Sequence, residues 1–250
     1  MTKAIRGLRS ALYLAVIYPL MAIYGIVFLP WALLSPKGAR FACRAWARTA
    51  MALARPMIGL RCEVRGTPPK GEVLIAAKHQ SFLDILMIYA ALERPRFIMK
   101  RELLYTPVIG QYAWRLGCIP VDRGRRAQAV KKMVDDVEAG RREPGQLVIY
   151  PQGTRIAPGA RAPYKVGAAV LYQAMNARCV PVACNVGLFW PRKGILRHPG
   201  TAVVEFLPEI EAGLPVAEFT QRVQDVIEAR SDALMAEAGF VPRGVPHEDD

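Results

Sequence analysis

The chain has 250 residues, enough for one catalytic domain and a short appendage. Its apolar fraction of 52% and mean hydropathy of +0.15 exceed what soluble domains usually carry and point toward a membrane. The net charge of +13 is uneven: residues 1–70 hold eleven Lys/Arg and one acid, Glu63, while residues 205–250 hold eleven Asp/Glu and three Arg. Basic surfaces attract nucleic acid or anionic lipid. Here the basic residues interleave with a long apolar segment and no nucleic-acid-binding motif, which disfavours nucleic acid and favours membrane lipid.

The five cysteines, Cys43, Cys62, Cys118, Cys179 and Cys184, form no CxxC pair and no zinc spacing. Buried free thiols in a reducing cytosol are expected, with no metal site.

In chain order, Ala11 to Leu34 is a run of 24 residues without a charge, long enough to span a bilayer core. It is too long for a cleaved signal peptide, and no A-x-A site follows. Pro19 and Pro30 interrupt it, and Lys3, Arg6 and Arg9 before it mirror Lys37, Arg40, Arg44 and Arg48 after it. Both ends are therefore drawn to the cytoplasmic side, as for a helix dipping into one leaflet. Arg40, Arg44, Arg48 and Arg55 fall within about 80° on a helical wheel, roughly opposite Trp46 and Leu53. Such a helix lies in the membrane interface or packs its Ala and Trp face on the domain.

From residue 71 strand-like and helix-like runs alternate. Strands are predicted at Val73–Ala77, Arg96–Met99, Cys118–Val121, Leu147–Tyr150, Val180–Asn185 and Ala202–Leu207. Helices are predicted at Ser81–Leu92, Pro107–Leu116, Ala127–Ala139, Gly167–Asn176 and Pro215–Ala238. This pattern predicts an α/β fold, a mostly parallel sheet flanked by helices, with an N-terminal membrane-binding helical segment. The expected divisions are a membrane-binding helical pair over 1–60, a catalytic domain over 61–240 and an acidic tail over 241–250.

His79 closes the first of these strands, and Asp84 follows five places later. On one continuous helix the two would sit about 140° apart. They meet if His79 precedes the helix, with Ser81 at its N-cap and Asp84 at N3, an arrangement in which Asp84 could equally be a capping acid. A neutral imidazole oriented by a carboxylate can take the proton of an attacking alcohol. Arg123 follows another strand, Gly153-Thr154-Arg155 follows a third, and Lys100 follows a fourth. Guanidinium groups converging on strand ends suit phosphate binding. Arg125 and Arg126 read as surface or membrane-facing.

Four segments carry a resemblance: His79-Gln80-Ser81-Phe82-Leu83-Asp84, Gly117-Cys118-Ile119-Pro120-Val121-Asp122-Arg123, Tyr150-Pro151-Gln152-Gly153-Thr154-Arg155 and Val180-Pro181-Val182-Ala183. In this order and spacing, over roughly residues 60–210, they resemble the glycerolipid acyltransferases, specifically the lysophosphatidic acid acyltransferases. The resemblance implies His79 as general base with Asp84 as its partner. It implies a substrate site of Lys100, Asp122, Arg123, Gln152, Gly153, Thr154 and Arg155, with Val180, Pro181 and Val182 near the acyl chain. The reaction implied is acylation of 1-acylglycerol 3-phosphate by acyl-CoA or acyl carrier protein, without cofactor or metal, at the cytoplasmic face of the inner membrane.

Two positions depart from the family pattern. Gln152 stands where Glu is usual, keeping its reach but not its charge. Lys78 stands where Asn is common. Competing readings are the same chemistry on another lyso-lipid, such as a lyso-ornithine lipid or lysophospholipid, and a non-catalytic membrane-binding module. A serine hydrolase is disfavoured, because Ser81 lacks the Gly-x-Ser-x-Gly elbow.

Overall fold

The computed structural model describes residues 2–121, 135 and 145–241. Among the described residues, seven strands form one sheet: β1 (Leu60–Arg65), β2 (Val73–Ala77), β3 (Pro95–Lys100), β4 (Ile119–Val121), β5 (Gln146–Ile149), β6 (Cys179–Cys184) and β7 (Gly200–Phe206). Their order is β1-β7-β6-β2-β5-β3-β4, with every neighbouring pair parallel except β6 and β7. The mostly parallel sheet is as expected. β1 is an additional strand, and its Leu-Arg-Cys-Glu-Val-Arg sequence at the sheet edge is half-exposed. The predicted helix over 127–139, apart from Asp135, and residues 122, 123, 125 and 126 lie outside the described residues, as does the tail from 242.

β2 is buried along its whole length, as expected of a central strand covered on both faces. Its side chains alternate between two cores. Val73, Ile75 and Ala77 join the core beneath the N-terminal helices and α4 (Leu83–Ala91), while Leu74 and Ala76 join the core beneath α6 (Gly167–Met175) and α7 (Val216–Glu237). α5 (Ile109–Arg115) packs against α2 (Leu29–Leu34) and α3 (Pro36–Ile58), its Tyr112 buried with Ala32, Ala39 and Ala42.

The chain enters through α1 (Lys3–Val27), breaks at Phe28, continues as the short α2 (Leu29–Leu34) and returns along α3 (Pro36–Ile58). Pro19 is accommodated inside α1, whereas Pro30 lies in the first turn of α2, where its missing N–H is not needed. Ser35 caps α3 by accepting from the Lys37 amide, and Gly59, at φ 72°, ends it in the left-handed conformation. α1 and α3 run antiparallel. Arg9 Nε donates to the Met57 carbonyl (2.6 Å), the Tyr13 hydroxyl to that of Ala50 (2.9 Å) and Trp46 Nε1 to that of Ile17 (3.1 Å).

Trp46 is buried with Ala39, Ala42, Ala47, Ala50, Ala54 and Ile58. α3 thus packs its Ala and Trp face on the protein. Arg44 donates to the carbonyls of Leu92 and Glu93 at the end of α4 (2.6 and 2.8 Å). The apolar surface lies elsewhere: Leu8, Ile26, Val27, Trp31, Leu34, Phe41, Tyr105 and Trp114 are all exposed. α1 is long and apolar enough to cross a membrane by length and composition. These exposed side chains associate the protein with a membrane.

Of the five thiols expected to be buried, Cys118, Cys179 and Cys184 are, whereas Cys43 and Cys62 are only partly buried; burial pushes the Cys179 thiol up to about 12.

Candidate active site

β2, β3, β5 and β6 are parallel, so their carboxyl ends share one edge of the sheet, where sites in open α/β sheets gather. His79 lies just beyond β2. The parity of the strand sends Lys78 to the α7 side and His79 to the opposite side, under the N-terminal helices.

His79 Nδ1 lies 2.8 Å from Asp84 Oδ1, and Asp84 is fully buried. A carboxylate only accepts, so Nδ1 carries the proton and donates it, leaving Nε2 as an acceptor. Asp84 also accepts through Oδ2 from the backbone amides of Gln80 (2.9 Å) and Ser81 (2.7 Å). Asp84 thus binds the imidazole and the backbone ahead of α4 at the same time. The cap itself differs from expectation: helix α4 starts at Leu83, Phe82 occupies the cap position, and Ser81 Oγ accepts from the Leu83 amide (3.2 Å).

Tyr150, not singled out in the sequence, completes the arrangement. Its ring stacks on the His79 imidazole at 3.9 Å between centroids and 18° between planes. Its hydroxyl donates to Asp84 Oδ1 at 3.1 Å. Burial, and then the Asp84 charge, push the phenol well above its ordinary value, so it remains a donor. Asp84 thus receives four hydrogen bonds, and the imidazole is held in plane and in tautomer.

His79 opens onto a cavity of about 590 Å³. Its walls are largely apolar, with Met21, Phe82, Leu86, Tyr89, Phe97 and Leu116 among them. Helices α1, α3, α4 and α5 all contribute. Gly25 of α1 lies so close to Val108 that an added Cβ would stand 2.5 Å from its Cγ1, and the Tyr112 hydroxyl donates to the Gly25 carbonyl (3.0 Å). The cations Lys100, Arg155, Arg192 and Lys193 also line the cavity. Lys100 is half-exposed and 3.0 Å from Glu102.

The structure gathers His79, Asp84, Lys100, Thr154 and Arg155 at this cavity or directly behind it. Gly153 makes the turn that delivers the latter two: its φ is 70°, its amide donates to the Tyr150 carbonyl (2.8 Å), and the Ile156 amide donates to the His79 carbonyl (2.8 Å). Asp122 and Arg123 lie outside the described residues.

Two of the predicted groups lie away from the cavity lining. Gln152 does not line the cavity. It is 4% exposed and faces α7, where its Nε2 lies 3.4 Å from the Ala162 carbonyl and from Glu228 Oε1. Val180, Pro181 and Val182 do not line it either. They are buried inside β6, between β2 and β7, where the Val182 carbonyl accepts from the Lys78 amide (2.8 Å) and so fixes the strand end that carries His79.

A family model described as Acyltransferase matches residues 61–185, half of the chain. A 1-acyl-sn-glycerol-3-phosphate acyltransferase of Pseudomonas aeruginosa is 29% identical, covering 98% of this chain and 97% of its own. Another of that name from Escherichia coli is 26% identical over 80% of this chain and 81% of its own. The crystal structure of a 1-acyl-sn-glycerophosphate (LPA) acyltransferase from Thermotoga maritima has the same fold, with a TM-score of 0.78 over 94% of this chain and 98% of that one, at 20% identity. With half its length matched by the family model and that fold in place, the chain belongs to the acyltransferase family.

Proposed function

We propose that the protein transfers a fatty acyl group from a thioester donor to the sn-2 hydroxyl of 1-acylglycerol 3-phosphate, forming phosphatidic acid. The observation that carries this reading is the Asp84-held His79 at the mouth of an apolar cavity with a cationic rim. The names of the relatives from Pseudomonas aeruginosa and Escherichia coli support the acceptor. His79 Nε2 takes the proton as the acceptor oxygen attacks the thioester carbonyl. The new C–O bond forms, the C–S bond breaks, and the departing thiolate recovers the proton from the imidazolium. Asp84 stabilises that imidazolium, and Tyr150 keeps the ring in place. The substrate hydroxyl takes the place of an enzyme serine, so no acyl-enzyme is required.

Arg155 and Lys100, joined by Arg123, hold the acceptor phosphate, and the cavity receives an acyl chain. Acyl-CoA or acyl carrier protein is the donor, with no cofactor. The exposed apolar side chains of α1 and α2 enter the lipid from the cytoplasmic face. The first half of α1 stays on the domain, because Ser10 Oγ accepts from the Arg197 amide (2.9 Å). This favours a hairpin dipping into one leaflet over a complete span.

Purified protein in neutral detergent, given oleoyl-CoA and 1-acylglycerol 3-phosphate, should yield phosphatidic acid. Acylation of a different lyso-lipid in its place would overturn the acceptor assignment. No product with any lyso-lipid and either donor would overturn the reaction.

A further inference from the structure

Arg192 and Lys193 stand in the loop between β6 and β7 and line the same cavity as His79. Both are exposed. An exposed Arg-Lys pair is ordinarily a solvated surface feature, but three observations set this one apart.

The loop is tied to the catalytic segment. The Gly187 amide donates to Gln80 Oε1 at 2.9 Å, and a Cβ on Gly187 would stand 2.9 Å from the Gln80 Cβ. Only a residue without a side chain permits this approach. The Ile156 amide donates to the His79 carbonyl, so His79 and Gln80 anchor both cation-bearing loops.

Second, the two loops are joined at the rim. Arg192 Nη1 donates to the Arg155 carbonyl at 3.2 Å, which brings its guanidinium to the edge of the site. Behind it, Trp190 is buried, with the Arg197 guanidinium 4.5 Å from its ring centre, which fixes the base of the loop.

Third, among the described residues, no carboxylate stands within ion-pair distance of Arg155, Arg192 or Lys193, whereas Lys100 has Glu102. Like charges gathered at one rim repel unless an anion joins them. Acyl transfer to a lysophosphatidic acid brings two anionic substrates to the site at once, the acceptor with its phosphate monoester and the donor with the phosphates of its carrier.

We propose that Arg192 and Lys193 form a phosphate-binding subsite at the cavity rim, additional to Arg155 and Lys100, that holds a phosphate ester of one of the two substrates. This rests on the proposed acyl transfer. The fork of Arg192 supplies directional donors and Lys193 a point charge.

The test is steady-state kinetics in neutral detergent micelles with wild type, R192Q, K193Q, the double variant and R192K. Wild-type turnover of oleoyl-CoA and 1-acylglycerol 3-phosphate examines the reaction itself, so its absence would fail that reading and leave the variants nothing to compare. With turnover present, the double variant should raise the KM of one substrate about tenfold, as expected for loss of a charge-assisted contact. Its kcat should hold, and R192K should recover part of the loss. A rise confined to 1-acylglycerol 3-phosphate assigns the subsite to the acceptor, and one confined to oleoyl-CoA assigns it to the donor. Monoacylglycerol, an acceptor without phosphate, should show no acceptor KM change in either case. Unchanged KM for both anionic substrates, a kcat loss alone, or an equal acceptor KM rise with monoacylglycerol would overturn the proposal.

Discussion

Lys78 and Glu228 are 150 residues apart in sequence, yet the Lys78 ammonium lies 2.6 and 2.8 Å from the two Glu228 carboxylate oxygens. The lysine side chain is 2% exposed and the glutamate 12%. Tyr164 donates to the same carboxylate at 2.9 Å, and Arg161 pairs with it at the surface. This network ties α7 to the residue that immediately precedes His79. Removing the carboxylate leaves a buried ammonium unpaired, a change that typically costs about 3–5 kcal/mol. Glu228→Ala should lower unfolding free energy by about that amount in chemical denaturation, and a Lys78→Met/Glu228→Leu pair should recover most of it. An Glu228→Ala variant as stable as wild type would contradict this view of the network.

Gln152 meets Glu228 in the same place, so its missing charge has a structural explanation. A glutamate at 152 would set a second carboxylate within reach of Glu228 Oε1, now 3.4 Å from the Gln152 amide nitrogen. Like charges that close disfavour joint ionisation. Gln152→Glu should reduce both stability and turnover, and Gln152→Glu/Glu228→Gln should restore them. Thermal unfolding and initial rates for the two variants check this. A double variant no better than the single one would show that the two positions are not coupled.

Tyr150 acts on the site through Asp84 and the imidazole. Tyr150→Phe keeps the stacked ring and removes the hydrogen bond to a carboxylate, a contact of roughly 1.5–3 kcal/mol. We expect kcat to fall roughly tenfold with KM for both substrates little changed. Tyr150→Ala, which also removes the ring, should lose considerably more. Equal rates for wild type and Tyr150→Phe would remove the hydroxyl from the account of His79.

His198 gives stability a pH dependence. Arg6 Nη1 stands 3.3 Å from its Nδ1. Partial burial first, then the charges of Arg6 and Arg197, lower its proton affinity below the ordinary value of about 6.5. The unfolded chain therefore binds the proton at a higher pH than the folded one. Stability from this group is full above about pH 6.5 and is lost as pH falls through the lower folded value. His198→Gln should flatten the stability profile between about pH 6.5 and the carboxylate range. An identical slope in wild type and variant, measured by urea unfolding across that window, would remove His198 as its source.

The parallel strands were legible because a strand buried on both faces reads as an unbroken apolar run, as at Val73–Ala77. β1 was not, because its three charged residues at a sheet edge erase that signal. The His79–Asp84 pair was legible from a local geometry that two positions near a helix start can satisfy. Tyr150 was not, because stacking on His79 depends on β5 lying beside β2, and nothing near Tyr150 reports that pairing. The apolar run at Val180–Val182 reads the same whether it lines a cavity or fills a sheet, and here it fills the sheet. Arg192 and Lys193 follow Pro191 in an irregular loop, where charge alone carries no direction.

The central claim is that His79 is the base of an acyl transfer. The most direct measurement is the initial rate of phosphatidic acid formation from 1-acylglycerol 3-phosphate and oleoyl-CoA by wild type and His79→Ala, both folded by circular dichroism and purified in the same detergent. The expected result is a wild-type rate that falls about 10²–10⁴-fold in the variant. Turnover by His79→Ala near the wild-type rate would contradict it.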